Sequence, residues 1–394
     1  MDESILVVNS GSSSVKLALF DKHHQKKASA LAERLNQADA IARINGSNEP
    51  VELPAHANHQ NALQVLIETF SQKELLQGQP IAIGHRVVHG GETFRESALI
   101  DAGTIQAIKK VSGLAPLHNP VNLVGMDAMQ ALFPSVPQVA VFDTAYHQTL
   151  PEKAYRYALP KHCYEDWGVR RYGFHGTSHH FMVQEAARLL GKPIESTSII
   201  SAHLGNGCSI TAIQDGKSVD TSMGLTPLEG LVMGTRSGDV DPGLFDYLSG
   251  RGVSASEVHT MLNNDSGLLG LSGHTNDMRT LCELAEHGDE PARLAIDVFC
   301  FRLARYIGAM TASLTHLDAV VFTGGIGENS AQVRQETIKH LSLLGLAIDP
   351  ERNQQHGKNT DHRVSHPDSR FPILTIPTNE ELVIAQEASR LAGI

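Results

Sequence analysis

The sequence predicts an α/β fold built as two related halves. Strand-like apolar runs alternate with helical stretches along the chain, the pattern of layered α/β proteins. A strand, small-residue turn, strand unit also occurs twice, about half a chain apart. The 394 residues are 41% apolar and only 19% charged, a mixture that supports a folded chain with a sizeable core and two to three domains.

The first hairpin begins at Ile5–Asn9, a β-rich run. It turns through Ser10-Gly11-Ser12-Ser13-Ser14 and leaves along Val15–Phe20, where apolar residues alternate. The second enters at Ile199-Ile200, passes Ala202-His203-Leu204-Gly205-Asn206-Gly207-Cys208 and leaves along Ser209–Ile213. Laid side by side, Asn9 matches His203, Gly11 matches Gly205 and Ser14 matches Cys208. Asn61–Phe70, His179–Leu190 and Pro291–Leu314 carry apolar residues at helical spacing. Asp318–Thr323 then reads as a strand, Gly324-Gly325-Ile326-Gly327 as a glycine turn, and Ser330 to Leu344 as a helix. Turn-forming residues concentrate in Asp349–Arg370, a surface excursion. The C-terminus repeats strand, turn and helix over Phe371–Ile376, Pro377-Thr378-Asn379 and Glu380–Ala392. Thr378-Asn379-Glu380-Glu381 has capping-box spacing, with Thr378 as N-cap and Glu381 as its partner, which leaves Glu380 free for other work.

Composition excludes several function classes. A net charge of −11 disfavours sequence-independent nucleic-acid binding, which needs a basic surface. No apolar run reaches the ~18 residues of a membrane span, and the N-terminus lacks the pattern of a secretory signal. Cys163, Cys208, Cys282 and Cys300 are scattered, which fits a reducing cytoplasm rather than a disulfide or structural-zinc scaffold. The 21 histidines form no H-E-x-x-H motif and read mostly as surface or helix-cap residues.

What remains is chemistry suited to anions. Glycine turns let backbone N–H groups converge on a phosphate. Asn9–Ser14, Gly205–Gly207 and Gly324–Gly327 are three such turns, each directly after an apolar strand, and the last opens a helix whose N-terminus adds positive potential. Lys16, just past the first, is placed either to reach a phosphate or to sit solvated on its strand. Arg86, in His85–Gly91, suits bidentate recognition of a carboxylate or phosphate. Asp143 ends an apolar strand, where sites form in α/β folds. Arg170–His179 gathers cations, an aromatic ring and histidines, with Arg170 and Arg171 equally suited to surface ion pairs. Arg236 stands in a glycine-bounded turn, where a ligand backbone can approach. Asn9 and Glu380 offer the oxygen ligands that Mg²⁺ prefers.

Taken together, Asn9–Lys16, His85–Gly91, Ala115–Pro120, Phe142–His147, Arg170–His179, His203–Ser209, Thr226–Pro242, Thr323–Ser330 and Pro377–Glu381 resemble the acetate kinase family, in order over nearly the whole chain. The resemblance implies two related actin-like ATPase-type domains, ribonuclease H-like and duplicated, flanking an interdomain cleft. It implies an N-terminal domain over 1–150 joined by the C-terminal helix at about 380–394, and a nucleotide-binding domain over 151–379. The implied reaction is reversible, Mg²⁺- or Mn²⁺-dependent transfer of the ATP γ-phosphoryl group to acetate, giving acetyl phosphate and ADP. Propionate kinase is the alternative within the family, and an actin- or chaperone-type ATPase without an acceptor the alternative outside it. A zinc hydrolase built from the histidines is the remaining reading.

Carried over, Asp143, His175, Arg236 and His118 would serve catalysis. Arg86 would bind the substrate carboxylate, with Val88, Leu117, Phe174 and Pro227 as its apolar pocket. Ser14, Lys16, His203, Leu204, Gly205, Asn206, Gly207, Asp277, Met278, Arg279, Gly325, Ile326, Gly327, Glu328 and Asn329 would hold the nucleotide, and Asn9 and Glu380 the metal. The family is usually a cytoplasmic homodimer, with no nucleic-acid or membrane partner.

Overall fold

The computed structural model describes residues 3–45, 47, 49–116 and 118–394. They form two units, one comprising the chain up to Tyr146 together with Asn379–Ile394, the other His147–Thr378.

Among the described residues the first unit is built on a sheet of eight strands: β1 (Ser4–Gly11), β2 (Ser14–Asp21), β3 (Lys26–Glu33), β4 (Ile41–Ile44), β5 (Pro50–Val51), β6 (Ala82–Val87), β7 (Ala98–Leu99) and β8 (Gln138–Phe142). Their order is β5-β4-β3-β2-β1-β6-β8-β7. The β1–β2 hairpin is tighter than its run of serines suggested. Gly11 pairs with Ser14, so only Ser12 and Ser13 turn. Strand β1 is buried on both faces, which explains its unbroken apolar run. Leu6 and Val8, with Leu17 and Leu19 of β2, pack on Leu63, Leu66 and Phe70 of the helix His59–Gln72. Ile5, Val7, Ala18 and Phe20 point the other way, onto Ile384, Ala385 and Ala388 of the C-terminal helix Glu380–Ala392. Gly84 of β6 makes that docking possible, because a Cβ there would lie 2.5 Å from Ile384 Cγ2.

The second unit repeats the plan. Strands β9 (Ile199–Leu204), β10 (Cys208–Gln214), β11 (Lys217–Thr221), β12 (Ala319–Thr323) and β13 (Ile373–Thr375) lie in the order β11-β10-β9-β12-β13. Strands β9, β10 and β11 pair antiparallel, and β9–β12 and β12–β13 pair parallel. These are the senses of β3-β2-β1-β6-β8 in the first unit. The two matched hairpins are thus the same part of a duplicated fold.

Three expectations fail here. The C-terminal helix is capped by Asn379, whose side chain accepts from Leu382 N–H at 3.2 Å, not by Thr378. Glu381 lies in its first turn and bridges Lys16 (2.7 Å) and Lys26 (2.6 Å) instead of closing a capping box. Gly324–Gly327 is no open turn. It forms a short helix, Gly324–Asn329, entered by Gly324 at φ +78°, and the next helix runs only over Ala331–Lys339. A side chain at Gly324 would strike the Leu204 backbone, with its Cβ 2.7 Å from the carbonyl oxygen. Finally, Asp349–Arg370 is partly core. Asn353 is fully buried and donates to the Ala331 carbonyl at 2.8 Å.

Candidate active site

In the first unit, β6 and β8 run parallel and bring Arg86 beside Asp143. Asp143 N–H extends the ladder to the Val87 carbonyl at 2.9 Å. Arg86 donates to its carboxylate bidentately, Nε to Oδ1 at 3.0 Å and Nη2 to Oδ2 at 2.6 Å. The arginine assigned to a substrate carboxylate therefore already holds one of the protein's own. Burial opposes the Arg86 charge, but Asp143 and, behind it, Glu380 keep the guanidinium firmly protonated. The loop after β6 is held by the helix Asn119–Leu132. Asn122 Oδ1 accepts from Val88 N–H at 3.1 Å and its Nδ2 donates to Ser10 O at 2.9 Å. Asn119 grips both backbone groups of His89. His118 occupies the N-cap of this helix without a side-chain cap bond, and Leu117 lies outside the described residues. Asn119 and Asn122 were missed in sequence because an asparagine in a helix's first turn carries no motif. Ser14 closes the β1–β2 hairpin, and Lys16 opposite Asn9 is engaged by Glu381. Burial alone would raise the Glu381 carboxyl, but Lys16 and Lys26 outweigh it and hold it below its ordinary value.

In the second unit the chain presents His175 from a left-handed residue (φ 56°) at the N-cap of the helix Gly176–Leu190. Its ring stacks on His203 at 4.3 Å, and its Nδ1 meets Ser209 Oγ at 2.9 Å. Arg236 approaches the same spot. A Cβ on Gly207 would lie 3.5 Å from both Arg236 Nη2 and His175 Nε2. Arg236 Nη1 donates to the Pro227 carbonyl at 2.7 Å. No carboxylate among the described residues pairs with it, and burial lowers its pKa. A half-desolvated guanidinium lacking a counter-ion is a ready anion site.

The turn carrying Pro227 and Arg236 is braced at both ends. Glu229 accepts from Arg171 Nη2 (2.6 Å) and Tyr157 Oη (2.5 Å), and Asp239 accepts from Gly230 N–H (2.8 Å) and Tyr306 Oη (2.6 Å). Arg170 is no surface ion-pair residue. It is buried, with its guanidinium 3.8 Å from the Tyr155 ring centroid. Phe174 is buried, and its carbonyl bonds His147 Nε2 at 2.9 Å. The histidines are likewise less superficial than expected. His59, His85, His89, His147, His179 and His203 are all buried. Burial depresses His85 and His147 to about 4, so they are neutral imidazoles near pH 7.

Beside this cluster the second unit holds a cavity of about 810 Å³. The structure brings Gly205, Asn206, Asp277, Met278, Arg279, Gly325, Ile326 and Asn329 together in its wall. Asn276, Cys282, Glu283, Gln354 and His356 also line it, none of them marked by a motif. Asp277 caps the helix Met278–Glu286 through Thr280 N–H at 2.8 Å, which presents Arg279 to solvent. Leu204 is fully buried. Glu328 turns inward. Its Oε1 accepts from Gly324 N–H and Thr378 N–H, both at 2.9 Å, so a protein carboxylate already occupies the helix N-terminus expected to face phosphate. Arg334, fully buried, knits the far wall by donating to Gly327 O (2.7 Å), Asn353 Oδ1 (2.7 Å) and Asn353 O (2.9 Å). Burial pushes its guanidinium down to about 10.

Among the described residues no three His, Cys, Asp or Glu side chains converge as a metal-ligand cluster, and no helix is long and apolar enough to cross a membrane.

Comparison with known proteins places this geometry. The model of the Acetokinase family matches residues 4–386. An acetate kinase of Chromobacterium violaceum is 52% identical over the full length of both chains. The crystal structure of a propionate kinase from Francisella tularensis is 45% identical, covers 99% of this chain and 100% of that one, and superimposes with a TM-score of 0.93. That of an acetate kinase from Porphyromonas gingivalis is 39% identical, with 99% of each chain covered and a TM-score of 0.92. The duplicated sheets and these likenesses define a kinase of the duplicated actin-like ATPase fold. Within that class, the chain belongs to the acetokinase family.

Proposed function

We propose that the protein transfers the γ-phosphoryl group of ATP reversibly to acetate, giving acetyl phosphate and ADP by direct in-line displacement. An acetate oxygen forms the new P–O bond as the bond to the ADP oxygen breaks, and since acetate is already ionised, no base is needed. The observation that carries the reading is the meeting of Arg236 Nη2 and His175 Nε2 over Gly207, whose neighbours Gly205 and Asn206 line the large cavity. Phosphoryl transfer spreads negative charge over three equatorial oxygens, and two positioned donors with one uncompensated charge stabilise it.

In this reading Asn206, Asp277, Met278, Arg279, Gly325, Ile326 and Asn329 hold the nucleotide. Arg86 takes the acetate carboxylate on the guanidinium edge that Asp143 leaves, while Asp143 fixes the orientation of the fork. Val88, Leu117, Phe174 and Pro227 give the methyl group its apolar surroundings, and His118 adds a donor. A divalent cation, Mg²⁺ or Mn²⁺, when bound would neutralise phosphate charge. Asn9 and Glu380 fit it as oxygen donors: the Asn9 amide is hydrogen-bonded to no described residue, and the Glu380 carboxylate helps keep the Arg86 guanidinium charged. Two protein donors are few, which suits Mg²⁺, since it keeps waters and substrate phosphates. Cytoplasmic location and homodimer assembly belong to the same proposal.

The propionate kinase likeness favours a second reading, the same chemistry on a longer acid. One methylene is worth about 1–3 kcal/mol in a pocket. Comparing kcat/KM for acetate, propionate and butyrate decides: the proposal expects acetate first, and a tenfold lead for propionate overturns it. ADP release at the same rate with no carboxylate present would favour an ATPase without an acceptor.

A further inference from the structure

Behind His175 lies a closed chain of buried polar groups that the reaction itself does not use. Ser209 Oγ stands between two rings, 2.9 Å from His175 Nδ1 and 2.8 Å from His179 Nε2. His179 Nδ1 meets Ser201 Oγ at 2.9 Å. Ser201, His179 and Ser209 are all fully buried, on β9, on the helix Gly176–Leu190 and on β10 respectively.

The proton positions in this chain follow from counting donors. Among the described residues the Ser201 hydroxyl has no hydrogen-bond partner except His179 Nδ1. A buried hydroxyl that donates to nothing is costly. Ser201 therefore donates, and His179 Nδ1 is an acceptor without a proton. His179 has one proton to place if it stays neutral, and its burial beside His147 and His203 keeps it neutral. That proton sits on Nε2 and points at Ser209 Oγ. The Ser209 oxygen accepts it, and among the described residues its own hydrogen has one remaining acceptor, His175 Nδ1. His175 then carries its proton on Nε2, the atom that lies with Arg236 Nη2 over Gly207.

We propose that Ser201, His179 and Ser209 form a one-way relay that fixes His175 as the Nε2–H tautomer, so that a neutral imidazole presents a hydrogen-bond donor to the transferring phosphoryl group. The reverse polarity would leave the Ser201 hydrogen without an acceptor and turn a lone pair of His175 toward the phosphoryl oxygens. The charged groups around His175 fit a neutral ring: Arg236 lies across Gly207, His203 is stacked on it, and His179 stands behind Ser209. An imidazolium there would place a second positive charge beside the Arg236 guanidinium. Ser201, His179 and Ser209 are positioning residues; His175 alone would touch the phosphoryl group. The proposal rests on His175 serving phosphoryl transfer. Its test is made on the substrate-free protein, so either statement can fail while the other stands.

The test is long-range ¹H–¹⁵N correlation on the full chain with ¹⁵N-labelled histidine at pH 7.5, with His175→Asn and His179→Asn spectra as assignment controls. Both His175 and His179 should show the Nε2–H pattern. An Nδ1–H or imidazolium pattern for His175 overturns the relay. Kinetics supply the second arm. Ser209→Ala should lower kcat at least tenfold with the KM values for ATP and acetate within threefold, and its His175 signal should shift to a tautomer mixture. A kcat within threefold of wild type, or a loss carried by KM, contradicts the proposal. If Ser209→Ala fails to fold, the wild-type spectrum decides alone.

Discussion

Arg86 of the first unit and Arg236 of the second have opposite surroundings, and the difference predicts different mutants. Arg86 is locked to Asp143, whereas among the described residues Arg236 holds only a backbone carbonyl. In the proposed reaction Arg236 is therefore free to compensate charge that appears only as the phosphoryl group moves. Arg236→Ala should lower kcat about 10³-fold or more, the range for an arginine that stabilises this kind of transition state, with KM for ATP changed only a few-fold. A variant kcat near wild type would remove Arg236 from that role. Gly207 offers a finer probe. Its backbone suits alanine, and the added Cβ would rest at ordinary contact distance, 3.5 Å, from both Arg236 and His175. Gly207→Ala should fold as stably as wild type or better by about 0.4–1 kcal/mol, yet lose at least tenfold in kcat because the methyl group stands where the phosphoryl oxygens would. Steady-state kinetics alongside thermal unfolding separates the two effects, and an unimpaired kcat would contradict this placing of the phosphoryl group.

At the scale of elements, the C-terminal helix is held by a cap and a close approach. Asn379→Ala should cost about 1 kcal/mol by loss of the cap, while Thr378→Ala leaves that cap intact. Gly84→Ala drives a Cβ into Ile384 and should cost about 1–3 kcal/mol by overpacking. Denaturant titration of the three variants checks the ranking, and equal stabilities would contradict it. These elements also show where sequence reading succeeds and stops. The strands and hairpins were legible because β1 and β9 carry short apolar runs that lead into small-residue turns. The Asn379 cap was not, because Thr378 and Asn379 are both good caps and the capping-box spacing to Glu381 pointed to Thr378. Glu381 was misassigned because its partners, Lys16 and Lys26, lie on strands more than three hundred residues away in sequence. The Arg86–Asp143 pair is hidden in the same way, since each residue could be read alone but their bond exists only once β6 and β8 pair. Likewise, no local pattern marks Gln354 or His356 as cavity residues; the packing of Asn353 and Arg334 puts them there.

For the whole molecule, the buried histidines tie stability to pH. A histidine in the sequence looks like a solvated base. Here His85 is satisfied by Gln138 at 2.8 Å, and His147 by Ser218 at 2.8 Å and the Phe174 carbonyl. Both are held down at about 4, against an ordinary value near 6.5, because burial penalises the cation. Between these values the unfolded chain binds more protons than the folded one, so stability is full above about pH 6.5 and falls as pH drops toward 4, by a few kcal/mol for each ring. His85 lies in the first unit and His147 in the second, so both units should weaken. The melting temperature should fall steadily from pH 6.5 to 4.5, and a flat profile would contradict the neutral buried rings.

The central claim is that a phosphoryl group passes from ATP to a small carboxylic acid on this chain. Hydroxylamine capture tests it most directly. Purified protein given ATP, Mg²⁺ and acetate should yield one acetohydroxamate for each ADP formed. ADP without trapped hydroxamate would contradict the account.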